Sequence, residues 1–255
     1  MPLRFASLGS GSKGNATLID NGSTCVVIDL GFTIKEAVRR LSRLGLMPLD
    51  VDAILVTHEH ADHIHGVAGF ARKFGTPVYL TPGTYRHKKM GELPFLNKIN
   101  CHSPFEVGSL SITPVAVPHD AKEPCQYLVS SKKRTIGILT DLGHITPHVR
   151  DKYRECDALL LECNHDVTML QDGSYPYQLK QRVAGDYGHL NNVQAAELLD
   201  TINLERLRHL IISHISGENN LPNLAQDAVQ PLLLGWSGSL LVASQEEGFD
   251  WISLG

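Results

Sequence analysis

The stretch His58-Glu59-His60-Ala61-Asp62-His63 stands directly after the apolar run Ala53-Ile54-Leu55-Val56-Thr57, and its reading decides the fold. A short apolar run of this kind reads as a buried strand, and residues two apart in extended chain project to the same side. His58 and His60 therefore leave the strand end together. Asp62 and His63 follow where the chain turns into a helix, so they can face a second position nearby. Imidazole nitrogens with a carboxylate suit Zn, Mn or Fe, whereas Ca or Mg would favour oxygen ligands alone. A solvated, histidine-rich loop is the plainer reading, but four ligand-type residues in six positions are too dense for it.

Outward from this cluster, strand and helix signals alternate. Residues 3–8, 16–20 and 24–29 read as strands, the last two joined by the two-residue hairpin signal Asn21-Gly22. Thr33-x-x-Glu36 reads as a capping box opening a helix with Ala37, Val38, Leu41 and Leu44 on one face. A further helix is expected from the histidine cluster to near Gly75. Downstream, residues 78–80, 110–117, 126–129, 136–140, 159–162, 210–213, 239–244 and 251–254 read as strands. Thr146-Pro147 and Asn191-x-x-Gln194 open helices, the second over 193–202, and another helix stops or kinks near Pro231. Hairpins early and strand–helix units later call for sheets covered by helices. Residues 53–57 run into His58 as 210–213 run into His214, so two halves presenting ligands at one shared edge are expected.

The 255 residues, 42% hydrophobic and 20% charged, have the size and composition of one globular domain, 1–255. No apolar run approaches the roughly 18 residues of a membrane span. Met1-Pro2-Leu3-Arg4-Phe5-Ala6 lacks the basic and apolar regions of a signal peptide. Five cysteines without a Cys-x-x-Cys pair read as reduced thiols rather than as a disulfide framework or thiolate zinc site. Both features predict a cytoplasmic protein. The net charge of −4 offers nucleic acid no global attraction, so such binding needs a local basic patch.

Two motifs mislead. Gly9-Ser10-Gly11-Ser12-Lys13-Gly14 matches G-x-G-x-x-G, but a dinucleotide loop must open a helix, and here a strand and hairpin follow. Position 62 is aspartate, where the zincin pattern H-E-x-x-H needs its second histidine.

H-x-H-x-D-H after a short apolar strand resembles the metallo-β-lactamase superfamily. The resemblance covers nearly the whole chain and implies an α/β (α+β) fold, a four-layer αβ/βα sandwich of two similar halves. It also implies a ligand set. His119 in Val117-Pro118-His119-Asp120 resembles the third histidine of the first metal site. Asp141 in Thr140-Asp141-Leu142-Gly143 resembles the bridging carboxylate, and His214 the last ligand of the second site. His58, His60 and His119 would hold one divalent ion, Asp62, His63 and His214 the other, with Asp141 between. The ions would be Zn or Mn, with Fe a third option. Two ions about 3.5–4 Å apart lower the pKa of a bridging water and stabilise the attacking and leaving oxygens. Histidine at position 60, where the redox flavodiiron proteins carry glutamate, favours a hydrolase with Asp62 among its catalytic residues.

Leu159-Leu160-Leu161-Glu162 is similar to the strand ending in glutamate of ribonuclease Z-like phosphodiesterases, and Gly188-His189-Leu190-Asn191 resembles their histidine motif opening a helix. In that group the glutamate orients the histidine, which protonates the departing oxygen. Glu162 as a partner of a metal ligand, and His189 as a helix-cap residue, are the plainer alternatives. Only 22 positions separate His119 from Asp141, too few for the tRNA-clamping arm of ribonuclease Z. Residues 9–16, 175–182 and 213–220 resemble the compact YycJ/WalJ-like branch. That resemblance implies Mn-dependent 5′→3′ DNA exonuclease activity with a role in DNA repair, and DNA rather than RNA as the partner.

Lys180 and Arg182, just before His189, are candidate phosphate-binding residues, with Ser12, Asn15 and Asn164 as further substrate contacts. Arg86, Lys88 and Lys89 form a second basic cluster around His87, and Lys132-Lys133-Arg134 a third that reads equally as a hairpin turn. Two other functions compete. One keeps the metals and changes the substrate to a cyclic phosphodiester, lactone, thioester or β-lactam. The other is a non-enzymatic metal-binding scaffold.

Overall fold

The computed structural model describes residues 1–88 and 90–255; Lys89 of the second basic cluster lies outside the described residues. Two seven-stranded sheets carry the fold. The first contains β1 (Leu3–Gly9), β2 (Ala16–Asp20), β3 (Cys25–Ile28), β4 (Ala53–Leu55), β5 (Val78–Leu80) and β6 (Leu96–Lys98). The second contains β7 (Phe105–Val107), β8 (Leu110–Ala116), β9 (Cys125–Ser131), β10 (Arg134–Leu139), β11 (Ala158–Glu162), β12 (His209–Ser213) and β13 (Ser239–Val242). The last strand, β14 (Phe249–Leu254), returns to the first sheet and pairs antiparallel with β1.

The sheet orders are β14-β1-β2-β3-β4-β5-β6 and β7-β8-β9-β10-β11-β12-β13, and each runs through three antiparallel pairings and then three parallel ones. The two halves are thus alike, as expected, with β3 corresponding to β10 and β4 to β11. The echo between residues 53–57 and 210–213 does not follow this symmetry. β12 matches β5 in sheet position, so the two histidine-bearing strands reach one edge without being counterparts.

Side chains alternate across each strand. Leu3 and Phe5 of β1 face the second sheet, while Ala6 and Leu8 face helices. Between the sheets lie Phe5, Ile19, Leu55, Tyr127, Ile138 and Leu160. The outer face of the first sheet is covered by α1 (Ile34–Arg43) and α3 (Val67–Phe74). The outer face of the second is covered by α5 (Pro147–Tyr153), α8 (Asn192–Leu199) and α9 (Pro222–Val229). Short α2 (Ala61–Ile64), α4 (Pro82–Tyr85), α6 (Val167–Asp172) and α7 (Tyr177–Ala184) sit in connections. The result is helix–sheet–sheet–helix, the four-layer sandwich expected.

Local differences have local causes. Thr33 caps α1 by accepting from Glu36 N, but the reciprocal half of the box is missing because Glu36 binds Arg39 and Arg40 instead. The hairpin turn sits one residue later than expected: Asn21 N–H donates to the Thr24 carbonyl at 3.2 Å, leaving Gly22-Ser23 at the tip, and Asn21 Oδ1 gathers the amides of Ser23 and Thr24. The helix after the histidine cluster is split at Gly66 into α2 and α3. A Cβ at Gly66 would stand 2.1 Å from the Phe32 carbonyl. All five cysteines are free and buried. Among the described residues no helix is long and apolar enough to cross a membrane.

Candidate metal centre

Six chain segments deliver their polar residues to one edge of the sandwich, just past the strand ends. His58 follows β4, His119 follows β8, Asp141 follows β10, Glu162 closes β11 and His214 follows β12. His60 caps α2, and Asp62 and His63 lie in its first turn. Asp141 and His214, with Asp29 after β3, hold left-handed backbone angles (φ 52°, 52° and 60°). Such angles in non-glycine residues cost about 1–3 kcal/mol and persist only where the surroundings dictate them. Here the abrupt turn aims a side chain across the edge instead of along the strand.

The seven residues expected as ligands come together at this edge. The ligand atoms of His58, His60 and His119 lie within 4.8 Å of one another, as do those of Asp62, His63 and His214; Asp141 forms a further such group with His58 and His63. His63 Nε2 stands 3.2 Å from Asp141 Oδ2 and 3.3 Å from Asp62 Oδ2. Four of the five rings are held through their other nitrogen. His63 Nδ1 donates to Asp29 at 2.8 Å, His119 Nδ1 to the Gly188 carbonyl at 3.0 Å, and His214 Nδ1 to Glu162 at 2.8 Å. His58 Nδ1 lies 2.9 Å from Thr57 Oγ1. The inward atoms His58 Nε2, His214 Nε2 and Asp141 Oδ2 are buried without a hydrogen-bond partner. Buried polar atoms are rarely left unpaired, since each costs about 1–3 kcal/mol. Three converging on one spot, with outer partners fixing four of the five rings, fit divalent metal ions. The donor set of imidazoles and carboxylates suits Zn, Mn or Fe.

The charges are arranged to match. Burial pushes the Asp141 and Asp62 carboxyls up, but the surrounding imidazoles, His214 and His63 for the first and His63 and His214 for the second, hold both well below the usual carboxylate range. Burial pulls His214 down, yet Asp141, Asp62 and Glu162 raise it to about 10. Burial likewise raises Glu162, and His189 and His214 bring it down to about 2.

Glu162 is fully buried, and both its oxygens are used. Oε1 accepts from His189 Nδ1 and His214 Nδ1, each at 2.8 Å; Oε2 accepts from the Leu142 and Leu190 amides at 3.0 and 3.1 Å. With its acceptor capacity taken, this carboxylate orients two histidines and is not free to be a ligand. His189 sits half-buried before the Asn191 cap of α8, its Nδ1 held by Glu162, so Nε2 is its free nitrogen. A cavity of about 340 Å³ opens onto this edge, lined among others by Ser12, His60, Asp120, Arg182, His189 and His214.

The expected substrate contacts divide. Ser12, Asn164 and Arg182 line this cavity. Asn164 also holds the His214 carbonyl through its amide at 3.1 Å. Asn15 is buried, with Nδ2 3.2 Å from Asp62 Oδ2 and 3.1 Å from His63 Nε2, so it braces the centre instead of meeting substrate. Lys180 is not in the cavity: its ammonium donates to the Gln171 carbonyl at 2.6 Å, over a separate groove. Helix geometry explains this, because two positions apart in α7 is a rotation of about 200°, which turns 180 and 182 to opposite sides. Lys132–Arg134 is the β9–β10 turn, with Lys132 left-handed and Arg134 bound to Asp157.

Asp29 is not among the candidate residues of the sequence, yet it accepts from His63, from the Thr57 amide and from the Thr57 hydroxyl. A usable signal exists: Asp29-Leu30-Gly31 after β3 repeats Asp141-Leu142-Gly143 after β10, at matching places in the two halves. Gly31 is required by close approach, since a Cβ there would stand 1.7 Å from the Asp62 carbonyl. Asp120 was also missed. Its carboxylate lies 3.4 Å from both His60 Nε2 and His119 Nε2 and is paired with Arg182.

A family model described as "Beta-lactamase superfamily domain" matches residues 24–215. An exodeoxyribonuclease WalJ of Streptococcus pneumoniae is 34% identical over 230 residues, covering 87% of this chain and 85% of the relative. An exodeoxyribonuclease YycJ of Bacillus anthracis is 32% identical over 239 residues, covering 91% and 90%. Among solved structures, the metallo-beta-lactamase fold protein YhfI from Bacillus subtilis superposes with a TM-score of 0.75 at 15% identity, covering 99% of this chain and 100% of that one.

Proposed function

The chain belongs to the β-lactamase superfamily, and on that premise we propose that it is a phosphodiesterase that shortens DNA from a 5′ end. It is a metal-dependent hydrolase. The observation that carries the finer reading is the His189–Glu162 pair, placed at the mouth of the metal centre with Glu162 bonded to His189 Nδ1 at 2.8 Å.

Two divalent ions, when bound by His58, His60, His119, Asp62, His63, His214 and Asp141, supply charge stabilisation and an activated water. The chain's own residues do the rest. Glu162 keeps a hydrogen on His189 Nδ1 and, with Asp141, raises the ring's proton affinity against burial. This favours a proton on Nε2, the nitrogen that Glu162 leaves free. The alkoxide leaving from a phosphodiester is a poor leaving group, and a positioned acid is worth about 10²–10⁴ in rate. A β-lactam or thioester has less need of it, which favours phosphoryl chemistry. Arg182 lines the same cavity and can trade Asp120 for a phosphate. The cavity, near the lower end of ligand-sized pockets, takes a strand end more readily than an uninterrupted duplex. Named exodeoxyribonuclease relatives support DNA over RNA. Mn or Zn as the metal, a cytoplasmic location and a part in DNA repair belong to the same proposal.

The test incubates metal-stripped protein, with Mn²⁺ restored, on 5′-phosphorylated linear DNA labelled at its 3′ end, beside His189→Ala. Progressive shortening from the 5′ end, about 10²-fold or more weaker in the variant, is expected. Intact DNA under Mn²⁺, Zn²⁺ and Fe²⁺ alike refutes the exonuclease reading and moves the substrate to small esters.

A further inference from the structure

Helix α7 is a ridge between two pockets. Tyr175, just before it, and its residues Leu179, Arg182 and Val183 line the catalytic cavity, whereas Tyr177, Lys180, Gln181 and Ala184 line a second groove of about 470 Å³. No residue of α7 is buried. A helix with no fully buried residue contributes little to the core, so its sequence is free to serve what lies on either side of it.

The far groove, between α6 and α7, has walls of Val167, Leu170 and Tyr177 and polar groups from His165, Lys180 and Asn191. Tyr177 is 75% exposed and Val167 49%, large apolar surfaces held open at one spot. Lys180 spans the groove to the Gln171 carbonyl, a neutral partner that a phosphate would displace. His165 is 2% exposed, and its Nδ1 is buried without a hydrogen-bond partner. An aromatic face, an apolar wall, a cation and an unpaired imidazole nitrogen form the recognition set of a nucleobase with its phosphate.

We propose that this groove is a nucleobase subsite of the same enzyme, an inference that rests on the nucleic-acid reading above. It takes a base of the substrate strand, stacked on Tyr177, with the adjoining phosphate on Lys180. The ridge between the groove and the catalytic cavity is one helix wide, about 10 Å. At about 3.4 Å per nucleotide of a stacked strand, the groove receives a base roughly three nucleotides from the phosphodiester being cut. This gives Lys180, Tyr177 and the 175–182 stretch a shared purpose, and it gives the enzyme a reason to prefer a strand over a dinucleotide.

The test measures KM for single-stranded, 5′-phosphorylated deoxyoligonucleotides of two to eight residues, in the wild type, Tyr177→Ala, Tyr177→Phe and Lys180→Ala. In the wild type KM falls about tenfold once the strand is long enough to cross the ridge. Tyr177→Ala abolishes that fall, Tyr177→Phe keeps it, and Lys180→Ala lowers the salt slope of binding by about one. Each protein's dinucleotide is its own reference, so a loss of folded protein does not imitate the effect. A Tyr177→Ala enzyme with the wild-type length dependence overturns the subsite and leaves the exonuclease reading standing. A wild type that hydrolyses bis(p-nitrophenyl) phosphate but no oligonucleotide overturns both.

Discussion

Replacing Glu162 by glutamine changes one atom and sets donor against donor. The carboxylate accepts four hydrogen bonds, two from the His189 and His214 rings at Oε1 and two from the Leu142 and Leu190 amides at Oε2. A carboxamide has one oxygen. Whichever way it is turned, its NH₂ faces two N–H groups, and two bonds are lost in a fully buried place. Leaving such groups unpaired costs about 1–3 kcal/mol each, and breaking a buried charged arrangement about 3–5 kcal/mol in all. For a chain of this size that is a fall in Tm of about 10 °C, read on the metal-loaded protein. Activity on DNA should drop about 10²–10⁴-fold, because His189 loses the partner that fixes its proton. Since the two residues act as one unit, the Glu162→Gln/His189→Ala pair should lose little more activity than either change alone. A Glu162→Gln protein that melts within about 2 °C of wild type and digests DNA at full rate would show that this carboxylate is neither saturated nor coupled to His189.

Other expectations follow from the same geometry. Gly31→Ala places a methyl 1.7 Å from the Asp62 carbonyl; Asp62 must shift, and metal analysis should show the second ion depleted while the first remains. Asp29→Asn weakens the hold on His63 and should cost about 10–100-fold in metal affinity, measured by competition with a chromogenic chelator. Chelation itself should lower Tm by several degrees, since metal bound at about 100 times its Kd contributes about 2.7 kcal/mol; an unchanged Tm in EDTA contradicts the metal reading. Glu36 is held by Arg39 and Arg40, and these bonds lower its carboxyl to about 2. Its folded value lies below its unfolded one, so its contribution is complete above the ordinary carboxylate range and is lost as pH falls towards 2. Part of the pair is solvent-exposed, which limits the effect to about 1 kcal/mol. The urea midpoint of wild type should exceed that of Glu36→Gln at pH 6 and converge with it near pH 2.5; a constant gap rejects the assignment.

Much of the centre was legible in the chain because its signals are local. His58, His60, Asp62 and His63 are close in sequence, and the geometry of a strand end running into a helix places them without help from elsewhere. Thr33, Thr146 and Asn191 announced their helices through hydrogen bonds that reach only three residues. His119, Asp141 and His214 were found through strand ends and family resemblance, and the edge where they meet is where the structure brings them together.

What the sequence determined by itself, then, is whatever depends on spacing along a strand or a helix: alternating faces, caps, and a compact block of ligand-type side chains. Only the tertiary structure decided which distant groups meet. It brought Asp29 against His63 across 34 residues, carried β14 back to pair with β1, drew Asn15 inward to brace Asp62, and parted Lys180 from Arg182 by turning them to opposite sides of α7. The physical reason is that periodicity sets the direction of a side chain relative to its own element. What that direction points at depends on how the two sheets pack, and this is a property of the whole chain.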